Sequence, residues 1–502
     1  MSDARGATVA RTSLLIRNAR IGSGGPLGSV AIADGRIVSI TPDVPPERAD
    51  DEVDARGRTL LPGLSDAHVH MVQWASARRR IDVSTAASAR EAAESMARHA
   101  GRPAGTAPGE PLIGFGFRDG LWDDRPHRDL LDWAGERVVA LVSNDLHTAW
   151  LGPSALTRLG RGHHPTGVLR EQEALDAVAR LARVEDTVAD TWVADALSAA
   201  AERGVTHLVD FEYADNVRDW TRRTAGRTPA VHVTCTIYPE YLEAAIAAGL
   251  RTGDPVPGSG GAARVGPLKL FVDGSLNTRT ALCNTPYPGV SADGQQWGIL
   301  QTPPHELERA MARAAAHGID SAVHAIGDRA ATIALDAFER VGCPGRIEHA
   351  QLIDPADLPR FTRPDLILGV QPAHAPDDRD VADHHWAGRT HRAYAYADLL
   401  KAGAVLEIGS DAPVSPLDPW RGIAAAVHRG GGQGRAPWHP EQAIGLPDAL
   451  AAAAAGRRGI QVGEAADLVL TDHDPADLSP HDLARMPVHA TLLGGRWTFR
   501  AT

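Results

Sequence analysis

Cysteine is scarce in this chain of 502 residues: Cys235, Cys283 and Cys343 are the only three, far apart and with no C-x-x-C pair. Such spacing speaks against a disulfide framework and against thiolate sites for zinc or redox work, and it suits the cytoplasm. Long apolar runs are missing too. No segment approaches the ~20 apolar residues of a membrane span, and the first residues carry no apolar core of signal-peptide length. Positive charge is in deficit: 63 acidic against 51 basic residues give a net charge of −12 with neutral histidine. That balance argues against nucleic acid as a partner. There is no internal repeat and no low-complexity tract. These absences describe an acidic intracellular protein with no membrane or nucleic-acid partner, long enough to bury a large core.

What is present changes character along the chain. Residues 1–59 alternate short β-like runs (13–16, 29–32, 36–40) with turns such as Asp34-Gly35, and residues 456–502 repeat that style at 466–470, 490–493 and 496–499, with Gly494-Gly495 as a hairpin turn. Neither end has the apolar surface to stand alone, so the two are expected to pair into one small β-sandwich. Between them, over 60–455, strands alternate with helices. Strands are expected at 60–68, 205–211, 231–238, 264–272, 319–326, 346–350, 366–371 and 404–410, with helices at 304–317, 330–340 and 395–402 and a further one at 449–455. Eight parallel strands with intervening helices predict an α/β fold, a (β/α)8 TIM barrel whose chemistry sits at the C-terminal strand ends. Residues 71–190 exceed a single crossover and read as an insertion after the first barrel strand, entering at the catalytic face as a pocket wall or as a surface subdomain. Gly430-Gly431-Gly432-Gln433-Gly434 reads as a hinge or a plain linker.

The stretch 60–70 carries the first chemical signal. It runs as an apolar strand through Pro62-Gly63 to His68-Val69-His70, and two imidazoles two residues apart leave an extended backbone on the same side. Two histidines aimed at one point suggest a metal. Lys269, His324, His349 and Asp411 each stand near the end of a short apolar run. They therefore fall where a barrel keeps its active site.

The order His68-X-His70, Lys269, His324, His349, Asp411, flanked by a β-domain from both termini, resembles the amidohydrolase superfamily. More narrowly, Lys269-Leu-Phe-Val-Asp273-Gly-Ser275, Val323-His324-Ala-Ile-Gly-Asp328, Ile347-Glu348-His349-Ala-Gln351, Gln371-Pro-Ala-His374 and Gly409-Ser-Asp411-Ala-Pro-Val resemble amidohydrolase family 3, the branch of YtcJ-like hydrolases and N-substituted formamide deformylases. The resemblance implies a divalent metal, with zinc first among the choices, held by His68, His70 and Asp411, and a second held by His324 and His349. No carboxylate stands at the fourth strand to bridge two ions. Lys269 does, and the resemblance implies that it is carboxylated; as a plain lysine it would instead bind a substrate anion or pair with an acid. Asp411 is expected to move protons while a metal-activated water hydrolyses a carbon–nitrogen bond in an amide, formamide or related group.

The substrate is expected to be a small molecule, and homodimerisation is left open. Trp122, His147, Arg279 and His374 are substrate-binding candidates by position, each also readable as packing or a surface ion pair. His147 stands in Asn144-Asp145-Leu146-His147, which departs from the family's Asp-Gly-His segment, and Asn277 stands where relatives commonly have glycine. Three rivals remain. A mononuclear deaminase would need a glutamate three residues after His324, where Gly327 stands. A phosphotriesterase-like hydrolase would not ordinarily carry the two-ended β-domain. A metal-free scaffold relative would ordinarily lack ligands, and all six positions are filled.

Overall fold

Short apolar strands buried on both faces are the mark of a parallel sheet covered by helices, and such strands build the centre of this molecule. The computed structural model describes residues 12–42, 49–100, 111–181, 184–289, 296–430 and 434–501. The chain opens with β1 (Leu14–Ile21), β2 (Leu27–Ala33), β3 (Arg36–Thr41), β4 (Asp51–Asp54) and β5 (Thr59–Pro62), and the barrel begins with β6 (Leu64–Val69). An excursion follows through β7 (Ile81–Asp82), β8 (Leu112–Phe117), β9 (Val139–Ser143), β10 (Thr148–Leu151) and β11 (Val168–Arg170). The barrel resumes with β12 (Val205–Asp210), β13 (His232–Ile237), β14 (Ala263–Phe271), β15 (Ser321–Ala325), β16 (Gly345–His349), β17 (Leu366–Val370) and β18 (Val405–Ile408). Last come β19 (Leu468–Thr471), β20 (Val488–Leu493) and β21 (Arg496–Arg500).

Strands β6 and β12 to β18 form an eight-stranded parallel sheet in chain order, each overlapping a stretch expected from the sequence. The ring closes where the Asp411 amide donates to the His68 carbonyl at 2.7 Å and the His70 amide donates to the Ala412 carbonyl at 2.9 Å. The connecting helices include Pro304–Ala315 and Asp328–Val341, the latter ended by Gly342 in the left-handed region. The expected helix at 449–455 runs from Leu446–Ala452. Positions 431–433 of the glycine-rich stretch lie outside the described residues. Among those residues no helix is long and apolar enough to cross a membrane.

The two termini do pair. They form one continuous hydrogen-bonded sheet in the order β21-β20-β19-β5-β1-β2-β3, with β4 on β1, where a sandwich was expected. Its own core includes Leu14, Ile16, Ile32, Leu60, Leu468 and Leu492. The excursion builds a five-stranded sheet in the order β11-β10-β9-β8-β7 around two further apolar clusters, one with Met96, Phe117 and Trp150, the other with Leu151, Leu156 and Leu169. The helices Met71–Ala77 and Asp186–Glu202, at its two ends, pack into the barrel core through Met71, Trp74, Val193 and Leu197.

The stretch expected as one strand at 60–68 is in fact two. Residues of β5 pair with β1 and β19 in the terminal sheet, whereas β6 pairs with β12 in the barrel. Gly63 is the crossing point: its amide donates to the Asp467 carbonyl at 2.8 Å, and a Cβ there would come within 2.4 Å of the Thr206 side chain. The chain changes sheets at the one residue that leaves room for Thr206. Gly63→Ala should therefore cost about 1–3 kcal/mol in denaturant unfolding, and pairing it with Thr206→Ala should recover most of that loss.

Candidate active site

The six residues singled out as ligands line one cavity of about 130 Å³ at the mouth of the barrel. His68, His70 and Asp411 come together through the closing seam, so that their ligand atoms all lie within 4.8 Å of one another. His70 Nε2 is 3.2 Å and His68 Nε2 3.7 Å from Asp411 Oδ1. The alignment nevertheless leaves Asp411 Oδ1 and His70 Nδ1 buried without a hydrogen bond. Unpaired buried polar atoms in a native site call for an unseen partner, and two imidazoles with one carboxylate are the donor set a divalent metal takes. These three residues fit a metal.

His349 lies at the edge of that group, its Nδ1 4.0 Å from Asp411 Oδ2, and its ring is 4.5 Å from that of His324. His349 Nδ1 donates to Gln371 Oε1 at 2.9 Å, which leaves Nε2 with the lone pair. His324 Nε2 donates to the Gly274 carbonyl at 3.1 Å, leaving its Nδ1 free in turn. Lys269 is one of only two lysines in the chain. It is buried, with Nζ 4.7 Å from the Phe211 ring and 4.8 Å from Phe271.

Beneath the mouth runs a ladder of buried charges. His68 Nδ1 donates to Glu348 Oε2 at 2.7 Å, Arg346 Nε donates to Glu348 Oε1 at 2.6 Å, and Arg346 Nη1 reaches Glu407 at 2.6 Å. Arg346 Nη2 also donates to the Ala67 carbonyl at 3.2 Å. Side chains at 346 and 348 share the inner face of β16 by the period of a strand. His349 should then point outward, yet it lines the cavity. It does so because its φ is +77°, which breaks the alternation at the strand end, and Asp411 is turned likewise with φ +57°. Non-glycine residues in that region carry strain of about 1–3 kcal/mol each. Gly369 completes the ladder, since a Cβ there would sit 2.1 Å from Glu348 Oε2.

The electrostatics follow from burial and these partners. Desolvation pushes His68 down to about 4 and His324 down to about 3, and lowers His349 well below its ordinary value. All three are neutral and able to donate a lone pair. Burial opposes the charge of His70, but the Asp411 carboxylate raises it. Burial would raise Asp411, but His68, His70 and His349 hold it well below the carboxylate range. Desolvation lowers Lys269 to about 8, which makes its neutral amine accessible near physiological pH.

Of the four substrate candidates, His147 and His374 line the cavity. Trp122 and Arg279 are not brought to it. Trp122 packs 5.7 Å from Phe117 against the insertion's own core; Arg279 stands at φ +61° in the loop after β14. Sequence reasoning passed over Glu348, Arg346, Gln371 and Glu171 as site-supporting residues. The signal for the first two was available: Arg346 and Glu348 place charges at i and i+2 in a strand expected to be buried, which is tolerable only if they are paired.

Comparison with known proteins fits this geometry. A family model described as the amidohydrolase family matches residues 51–499. Protein LONG AFTER FAR-RED 3 of Arabidopsis thaliana is 27% identical over 533 residues, covering 95% of this chain and 84% of the relative. The N-substituted formamide deformylase of Arthrobacter pascens is 26% identical, covering 94% of this chain and 95% of that enzyme. Among solved structures, an uncharacterized metal-dependent hydrolase from Pyrococcus horikoshii OT3 superposes with a TM-score of 0.75 at 25% identity, over 93% of this chain and 99% of that one.

Removing Glu348 would leave Arg346 buried with one of its two carboxylates gone. Glu348→Ala should lower the free energy of unfolding by about 3–5 kcal/mol, read by denaturant titration. Glu348→Gln, which keeps the volume and one acceptor, should lose less.

Proposed function

The chain belongs to the amidohydrolase family and is a hydrolase, and on that footing we propose that it cleaves a carbon–nitrogen bond, in a formamide, amide or related non-peptide group of a small molecule, with a divalent metal, zinc first among the choices. The observation that carries this reading is the group of His68, His70 and Asp411 with its unpaired buried atoms. Two further observations support it. The relative from Arthrobacter pascens, aligned over nearly its whole length, bears the name N-substituted formamide deformylase. The cavity of about 130 Å³ is close to the ~150 Å³ that holds benzene, a size suited to a small acyl group.

His68, His70 and Asp411 would hold the metal, and His324, His349 and a carboxylated Lys269 offer a second set. A bound divalent ion supplies a Lewis acid that brings a water's pKa toward ~7. Asp411, ionised beside three imidazoles, takes the proton from the attacking water and returns it to the departing nitrogen. Glu348 accepts the Nδ1 proton of His68, fixing the tautomer in which Nε2 faces Asp411. The neutral amine of Lys269 is placed to add carbon dioxide, releasing one proton and becoming a carbamate, an anionic oxygen donor on β14 itself. Among the described residues only one group of three donors is assembled, which favours the single-ion form; two ions require the carbamate.

Elemental analysis of protein produced with several metals available, together with intact-mass measurement for one added carboxyl group on Lys269, separates these forms. Asp411→Asn should lower kcat on N-formyl and N-acyl amines by about 10²–10⁴-fold, and chelation should abolish activity until metal is restored. Unchanged metal content in His68→Ala and unchanged turnover in Asp411→Asn would overturn the assignment.

A further inference from the structure

The wall of the cavity contributed by the insertion is more than a surface. Glu171 stands at φ +49° between β11 and the helix Gln172–Leu181, and both of its oxygens are engaged. Oε2 lies 2.5 Å from His147 Nδ1, and Oε1 accepts the Thr280 hydroxyl at 2.8 Å. Thr280 belongs to the loop after β14 and is itself fixed, bonded to Thr278 at 2.6 Å and packed so tightly that a Cβ on Gly274 would come within 2.1 Å of its hydroxyl. The carboxylate is clamped between the insertion and the barrel. His147, bound through Nδ1, can offer the cavity only Nε2. Among the described residues that nitrogen has no hydrogen-bond partner, and His147 lines the cavity alongside Asp411, Lys269 and His324.

We propose that His147 is a charged N–H donor to the acyl oxygen of the substrate and that Glu171 is the residue that positions it, so that the insertion supplies an oxyanion contact to the reaction run by the barrel. This rests on the hydrolase reading above and names the part of the substrate that His147 meets. The groups facing His147 are Glu171, Asp145 of its own loop, Asp411 after β18, Asp273 after β14, and His324 of β15. Asp145 accepts from the Ser143 hydroxyl at 2.6 Å and the His147 amide at 3.1 Å, and lies 3.3 Å from the Ser275 hydroxyl. These carboxylates already balance the imidazolium. A substrate carboxylate would add a further negative charge, whereas a neutral acyl oxygen that gains charge during attack is the acceptor such a donor serves best.

Protonation supports the geometry. Burial would lower His147, but the Glu171 carboxylate raises it to about 9, while Glu171, despite burial, is held down to about 2. The imidazolium therefore persists below pH 9 and is lost as pH rises through that value.

The test uses zinc-loaded protein with ¹⁵N-labelled histidine, as wild type and Glu171→Gln, with N-methylformamide as the probe. His147 should remain doubly protonated at pH 8 in the wild type and titrate near ~6.5 in Glu171→Gln. The probe should shift its Nε2–H signal in the wild type only. In turnover, Glu171→Gln should lose about 10²-fold in kcat with KM little changed, move the alkaline limb of kcat to lower pH, and be partly rescued as Glu171→Asp. The same His147 titration in both proteins, or an unmoved alkaline limb with undiminished kcat, overturns the proposal and leaves the hydrolase reading standing. A probe-induced shift in a wild type that hydrolyses no acyl amine upholds the donor and overturns the carbon–nitrogen reading.

Discussion

Two backbone hydrogen bonds that join the last barrel strand to the first, Asp411 to His68 and His70 to Ala412, are the contact on which the site depends. A parallel barrel has to close somewhere, and this one closes between the segments bearing its three clustered donors. The convergence of His68, His70 and Asp411 thus rests on the pairing of the two strand ends together with the left-handed turn at Asp411, φ +57°. Cooperative closure of the sheet and assembly of the donor group are one event, so any change that opens the seam disperses the ligands before it unfolds the rest.

Beneath the seam, the ladder from His68 through Glu348 and Arg346 to Glu407 converts barrel interior into site support. Buried ion pairs rarely add stability over apolar packing, so this ladder is better understood as orientation: it aims one imidazole. Strained φ angles at His349 and Asp411 act in the same direction, bringing into the mouth side chains that strand periodicity would send elsewhere. Both features draw on the stability of the surrounding core, in which residues such as Val323, Leu335 and Phe338 are fully buried.

The barrel was legible in the sequence because strands buried on both faces are written as short apolar runs, each ending near a residue of chemical type. The six residues singled out by type and order come together in one cavity. What stayed hidden depends on contacts distant in sequence. The division of 60–68 at Gly63 turns on Thr206, and the removal of Trp122 from the cavity turns on how the insertion packs around Phe117. Glu348 was visible as a neighbour of His349, but its partner is His68, which sequence spacing cannot reveal. Glu171 lies 24 residues from His147 in a segment with no periodicity to connect them.

The excursion between β6 and β12 holds its own sheet and its own two apolar clusters, and it meets the cavity through Gln73, the short stretch Asn144 to His147 and Leu175. Its sheet thus has apolar cores of its own, while its end helices and the Glu171–Thr280 contact tie it to the barrel. Substitutions that reshape this wall spend the insertion's packing and leave the seam and the charge ladder untouched, so descendants of one ancestral barrel can diverge in what they admit while keeping the same reactive floor.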